Sequence, residues 1–276
     1  MKKLVLLIAL LFVSSISFAQ LRVSGVGGSD GYMVGHASYD MSIIPWLSIT
    51  PGASIYKRDN QDTMYQFYIG ADAVMPFWDV LSVGVKGGIT PKRNYYSNYF
   101  YDMHASLDIQ KLTFNSLPVD SLVLGGGVAI TNHKFYENSK YNYTDQTNVE
   151  TDAYGFINTT FNNFDAHLNL TKAINFSNDK SNVPPWLAVP SFNAIYAGYL
   201  DYSFGLGLGY TWEILHPYAN YTFIKTYNNN RTDDLALGIT AKVAMININA
   251  SVEWFDFSKN NGNRKTFYSL TGGIAF

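Results

Sequence analysis

The sequence predicts an all-β chain, an antiparallel up-and-down transmembrane β-barrel of about 14 strands. Three observations predict it. Apolar and polar residues alternate with period two through most of the chain, and period two marks a strand, whose successive side chains point to opposite faces. The alternating segments run for about ten residues, the length of a tilted strand that crosses a bilayer. Aromatic residues collect at segment ends, where two interfacial girdles need them.

Composition agrees. Of the 276 residues only 14% are charged and 16% are aromatic, against roughly 25% charged in soluble domains. A surface of that kind suits lipid better than water. There is no cysteine, which excludes disulfides, thiolate metal sites, cysteine nucleophiles and a lipid-modified N-terminal cysteine. The formal net charge is −2 and no basic stretch suggests a nucleic-acid partner.

Residues 1–19 read as a secretory signal peptide, and 20–276 as the barrel. Lys2 and Lys3 form a basic start, Leu4 to Val13 is an apolar run, and Ser17-Phe18-Ala19 fits a cleavage site before Gln20. The apolar run is too short to span hydrocarbon as a helix.

Taken in order, the expected strands are 21–27, 32–43, 47–58, 63–75, 80–91, 98–111, 121–136, 154–171, 191–199, 203–212, 217–228, 231–243, 246–258 and 264–276. Reading 193–212 as one long strand and leaving out 21–27 would give about 12, and that alternative stays open. The alternation is plainest from Ile246, where Ile246, Ile248, Ala250, Val252 and Trp254 oppose Asn247, Asn249, Ser251 and Glu253. From Tyr99, Tyr101, Met103, Ala105 and Leu107 oppose Asp102, His104, Ser106 and Asp108. From Leu235, Leu237, Ile239 and Val243 oppose Asp234, Gly238, Thr240 and Lys242.

Two kinds of connection alternate. Short apolar or Pro/aromatic turns fall at 44–46, 76–79, 213–217 and 244–245, and polar ones at 57–62, 92–98, 137–153, 228–231 and 259–264. Membrane barrels pair short periplasmic turns with longer external loops. On this reading Trp46, Phe77, Trp78, Trp212, Tyr218 and the terminal Phe276 belong to an aromatic girdle. Tyr95, Tyr96, Tyr99, Tyr136, Tyr227, Phe257 and Phe267 belong to a second. Asn175 to Pro190 is expected to be a long periplasmic connection, an ordinary one in the first reading and one that folds inward or docks on a partner in the second.

The last strand places Tyr268, Leu270, Gly272, Ile274 and Phe276 on one face. An exported, cysteine-free chain ending in such a strand resembles a Gram-negative outer-membrane β-barrel protein. The resemblance covers the mature chain and identifies a class. It implies a place in the cell outer membrane, with lipid around the barrel, and recognition of the strand ending at Phe276 by the barrel-assembly machinery.

The inward face carries the functional expectation. Its charged and imidazole residues are Asp40, Asp72, Lys86, Asp102, His104, Asp108, Asp165, His167, Asp201, Asp234, Lys242 and Glu253. Carboxylates outnumber lysines, so a water-filled lumen favours cations. Inward glycines, among them Gly84, Gly127, Gly207 and Gly238, suggest space for a pore or a plug. The repeated Asp102-x-His104 and Asp165-x-His167 spacing is compatible with a divalent metal if the pairs converge, but it is common, and lumenal hydrogen bonding is the reading adopted. No cofactor is expected. Gly27-x-Ser29-x-Gly31 matches a hydrolase elbow only formally, because that motif needs a strand-to-helix turn, and a hairpin turn explains it.

These readings favour a porin-like or ligand-conducting channel over catalysis. A structural or assembly subunit of a secretion or surface complex, with a periplasmic or surface partner, is the alternative, and an outer-membrane enzyme acting on lipid comes third.

Overall fold

The computed structural model describes residues 19–59, 62–75, 78–93, 96–137, 145–176, 200–226, 231–258 and 264–275. Fourteen strands form one closed antiparallel barrel. They are β1 (Ala19–Gly28), β2 (Tyr32–Ile44), β3 (Leu47–Lys57), β4 (Met64–Val74), β5 (Leu81–Arg93), β6 (Tyr96–Asp108), β7 (Ser121–Phe135), β8 (Gln146–Phe161), β9 (Phe164–Phe176), β10 (Leu200–Tyr210), β11 (Leu215–Thr226), β12 (Arg231–Val243), β13 (Ile246–Phe255) and β14 (Lys265–Ala275). Each pairs with its neighbour in sequence, and β1 meets β14 from Gln20↔Ala275 to Gly28↔Phe267. Closure leaves no strand edge with unpaired amides, the condition for a sheet in hydrocarbon.

The number of strands agrees with the sequence reading, and besides β8 beginning at Gln146, inside the expected connection 137–153, two regions differ from it. The expected strand 154–171 is the end of β8, a tight turn at Asn162-Asn163 and the start of β9. Asn162 sits at φ 53°, a conformation asparagine tolerates well. That extra crossing brings the end of β9 and the start of β10 to the same end as the polar loops, not to the periplasmic end. Residues 177–199, including the expected strand 191–199 and most of the expected 175–190 connection, lie outside the described residues. The second difference is at 109–112. There β6 stops at Asp108 and a single helical turn, α1 (Ile109–Leu112), follows. Asp108 caps it by accepting from the Lys111 amide at 3.1 Å.

One end of the barrel therefore holds short turns and both ends of the sheet, and the other holds the polar loops. By the loop asymmetry of such barrels the short-turn end is periplasmic. Among the described residues no helix is long and apolar enough to cross a membrane, and the strands are the crossing elements.

The outer face is apolar. Val23, Met33, Ile69, Met103, Leu170 and Leu270 are all more than half exposed, as a surface solvated by lipid can be. Trp46, Trp78 and Trp212 stand exposed at the short-turn end. Phe77 and Phe276 lie outside the described residues. Tyr218, expected in that girdle, instead faces the lumen, where its hydroxyl donates to Asn249 at 3.1 Å. At the loop end Tyr96 and Phe267 are likewise fully buried inside the barrel, not in the second girdle.

Candidate functional site

The inner face divides along the barrel axis. At the loop end every strand from β2 to β14 contributes a buried inward residue. Tyr32, Met64, Tyr96, Phe135, Leu200, Ile224 and Phe267 are at most 1% exposed. Rings meet there edge to face or tilted, Tyr32 with Phe267 at 5.6 Å and Tyr96 with Phe135 at 5.2 Å. This layer lines the lumen at that level with buried rings and apolar side chains.

A polar chain threads the layer. The Thr90 amide donates to Asn98 Oδ1 at 3.2 Å, which turns the Asn98 Nδ2 toward Tyr96, 3.0 Å away. The Tyr96 hydroxyl lies 2.7 Å from His133 Nδ1, and His133 Nε2 lies 3.0 Å from Glu150. Five buried residues on β5, β6, β7 and β8 are tied in one hydrogen-bonded chain.

Toward the short-turn end the wall is wetter. A cavity of about 360 Å³ is lined by Arg22, His36, Asp40, Asp72, Lys86 and His104, among others. Asp72 lies 2.9 Å from His104 Nε2, and Asp102 lies 3.0 Å from Nδ1. A ring flanked this way satisfies both carboxylates only by donating from each nitrogen. Tyr154 donates to both oxygens of Asp102, at 3.1 and 2.9 Å. His36 meets Ser54 at 2.8 Å and Tyr68 at 3.1 Å, and the Lys86 ammonium sits 4.1 Å from the Tyr68 ring centroid. Asp40 accepts from Thr50 at 2.7 Å and pairs with Arg22 at 3.0 Å.

The contacts that reach across an intervening strand share one device, and it corrects the expectation that inward glycines leave open space. A glycine on the intervening strand lets side chains from the strands on either side bond over it. Asp72, Gly84 and His104 are direct register partners across β4, β5 and β6. A Cβ at Gly84 would stand 2.2 Å from Asp72 Oδ1 and 2.3 Å from His104 Nε2. Tyr154 reaches Asp102 past Gly127, and Tyr68 reaches His36 past Gly52. Asp165 meets His216 over Gly209, and Tyr218 meets Asn249 over Gly238. The glycines hold side chains flat against the wall.

The sequence-named residues fall into several groups. Asp72, Asp102 and His104 form one cluster, with Asp40 and Lys86 lining the same cavity. The Asp165-x-His167 spacing does not make a pair. Asp165 faces His216, 3.3 Å away, while His167 lies across Gly207. The two Asp-x-His motifs sit three strands apart, and among the described residues no group of three or more His, Asp or Glu could hold a metal ion. Asp234 and Glu253 share the inner face of adjacent strands toward the loop end, and Lys242 and Asp108 stand at the short-turn mouth. Asp201 departs from expectation. A bulge between Leu200 and Tyr202 turns it outward to Lys172 and Lys225. Ser29 is no elbow nucleophile, since its hydroxyl accepts from the Thr266 amide at 2.9 Å in a single 3-10 turn.

Sequence reading did not single out Arg22, Tyr68, Tyr154 or His216. Each stands on the inward parity of its strand, so the signal was there. Which neighbour each reaches depends on register, which one strand read alone does not reveal.

No protein-family model and no curated protein matches the chain. Solved structures do. CdiB from Acinetobacter baumannii superposes with a TM-score of 0.53 at 8% identity, over 94% of this chain and 60% of that one. The chain thus spans about 60% of the length of CdiB. Acinetobacter baumannii OccAB4 gives 0.49 at 12% identity, over 91% and 68%. OprD from Pseudomonas aeruginosa gives 0.45 at 10%, over 94% and 92%. The likeness is one of fold, and the fold is that of an outer-membrane β-barrel.

Proposed function

We propose that the protein is an outer-membrane channel for small solutes, closed at the loop end in this conformation, with an acidic vestibule that favours cations. The observation behind it is the contrast inside one lumen. A buried apolar layer lies above a wetter half of the inner wall, on which Asp40, Asp72, Asp102, Asp108 and Asp165 outnumber Arg22, Lys86 and Lys242, the cavity itself being lined by two of those carboxylates and two of those cations. A lumen of that charge lowers the energy of a cation and raises that of an anion. The solved structures named above are consistent with a transport barrel and with no particular substrate.

The test is conductance in planar bilayers. The wild type is expected to be nearly silent. Tyr96→Ala with Phe135→Ala, which removes two rings from the buried layer, is expected to give steady current with a cation-selective reversal potential in a salt gradient. The same buried layer suits a scaffold in a surface complex. A double variant that inserts, folds and stays silent would favour that second reading.

A further inference from the structure

Asp201 faces away from the lumen, and a carboxylate on the lipid side is costly unless it is neutralised. Here two lysines neutralise it. Lys225 pairs with it at 3.0 Å and Lys172 is also in contact. Both lysines stand on the outward parity, since Leu170 and Ile174 beside Lys172 are exposed while Thr171 and Ala173 are buried. Ile224 and Thr226, which flank Lys225, are buried as well. The cluster carries one net positive charge at the loop end of the barrel, and Lys172 is about half exposed.

We propose that this outer-face cluster binds the phosphate of an outer-leaflet lipid headgroup. Each ammonium has three N–H donors. One on each is directed at Asp201, so two on each are left for phosphate oxygens. Tyr202 lies between the ammonium groups, its ring centroid 5.7 Å from Lys172 and 5.6 Å from Lys225, and packs on Phe223 at 6.0 Å. Toward the short-turn end the same strands expose Leu170 and Phe204. The surface is cationic above and apolar below, as a phosphorylated lipid requires.

The distribution of charge around the barrel points the same way. Lys57, Lys134 and Arg231 also stand exposed on the outward parity at the loop end, and Arg231 is the register partner of Lys225. In the short-turn half of the strands, the outward face carries no lysine or arginine among the described residues. Water would solvate cations equally at either end. Headgroup phosphate stands in both leaflets, so the one-sided cations match a lipid that carries more anionic charge in the leaflet on the loop side. The inference rests on the membrane placement above and not on conduction.

The test uses the full barrel in phosphatidylcholine nanodiscs, with and without lipid A, reading bound lipid by native mass spectrometry. Lipid A should bind the wild type, and Lys172→Gln or Lys225→Gln should each weaken it about tenfold, the scale of one charge-assisted hydrogen bond. Lys172→Arg with Lys225→Arg should keep the binding, and so should Lys111→Gln at the opposite end. The single variants leave one lysine to neutralise Asp201, so folding survives them. Undiminished binding in both glutamine variants would overturn the proposal. So would inorganic phosphate displacing lipid A at equal concentration, which would mark a free-phosphate site. A chain that never enters the discs would overturn it together with the membrane placement.

Discussion

In the loop-end half of the lumen His133 meets Glu150 at 3.0 Å, and the two side chains are 1% and 3% exposed. In the short-turn half His104 lies between two carboxylates and is 30% exposed, while its partner Asp72 is 52% exposed. The pairs use the same chemistry on the same wall, and their surroundings differ. The Tyr96 ring packs against the first, and Gly84 lies beside the second. The parity of a strand decides whether a residue faces the lumen. The size of the neighbouring side chains decides whether it meets water there.

The difference should show first in stability. Leaving a buried polar group unsatisfied costs up to about 3 kcal/mol, so Glu150→Leu, which leaves His133 Nε2 without this partner, should lower the urea midpoint clearly. Asp72→Asn removes a half-exposed partner, and pairs of that kind contribute only about 0–1 kcal/mol. Folded fraction can be read for both from the mobility of unheated barrel on gels across a urea series. Equal losses in the two variants would mean that the halves are alike and that the buried layer is not buried in solution.

A smaller effect separates the glycines. At Gly127 an added Cβ would meet the Met103 carbonyl at 2.4 Å, a backbone atom that cannot swing aside. Gly127→Ala should cost about 1–3 kcal/mol, the range for overpacking. At Gly84 the atoms met are the ends of the Asp72 and His104 side chains, which can rotate away. Gly84→Ala should break the Asp72–His104 contact with little loss of stability. At Gly272 nothing lies within 4 Å, and alanine there should be silent by the same gel assay.

Much of this was legible in the sequence, for a physical reason. Alternation in segments such as Ile246 to Trp254 is dictated by a lipid exterior, so the barrel, its strand number and the side of most charges could be read without coordinates. The misreadings came where a short-range signal was weak or a long-range one was needed. Asn162-Asn163 is a turn of two polar residues between phenylalanines, and it passed as a continuing strand. Asp201 is turned outward by a bulge that adds one residue, and parity counted along β10 cannot reveal a bulge. The site itself was half legible. Asp72, Asp102 and His104 carried the right parity, but that Asp72 touches His104 over Gly84 depends on the register of three strands.

The smallest expected effect bears most directly on function. If the short-turn half is a wet vestibule, its charges act on permeant ions through water. A unit charge a few ångströms from an ion's path is then worth on the order of 0.5–1 kcal/mol, or about two- to fivefold in relative permeability. Introduced into the opened Tyr96→Ala, Phe135→Ala barrel, Asp72→Asn should reduce the cation-to-anion permeability ratio by that factor without moving the urea midpoint. Glu150→Gln in the same background should leave the ratio nearly unchanged if Glu150 stays bonded to His133 behind the remaining wall. The reversal potential in a salt gradient reports both. If Glu150→Gln shifts it more than Asp72→Asn, ions are sensing the loop-end layer, and the vestibule is not where selectivity is set.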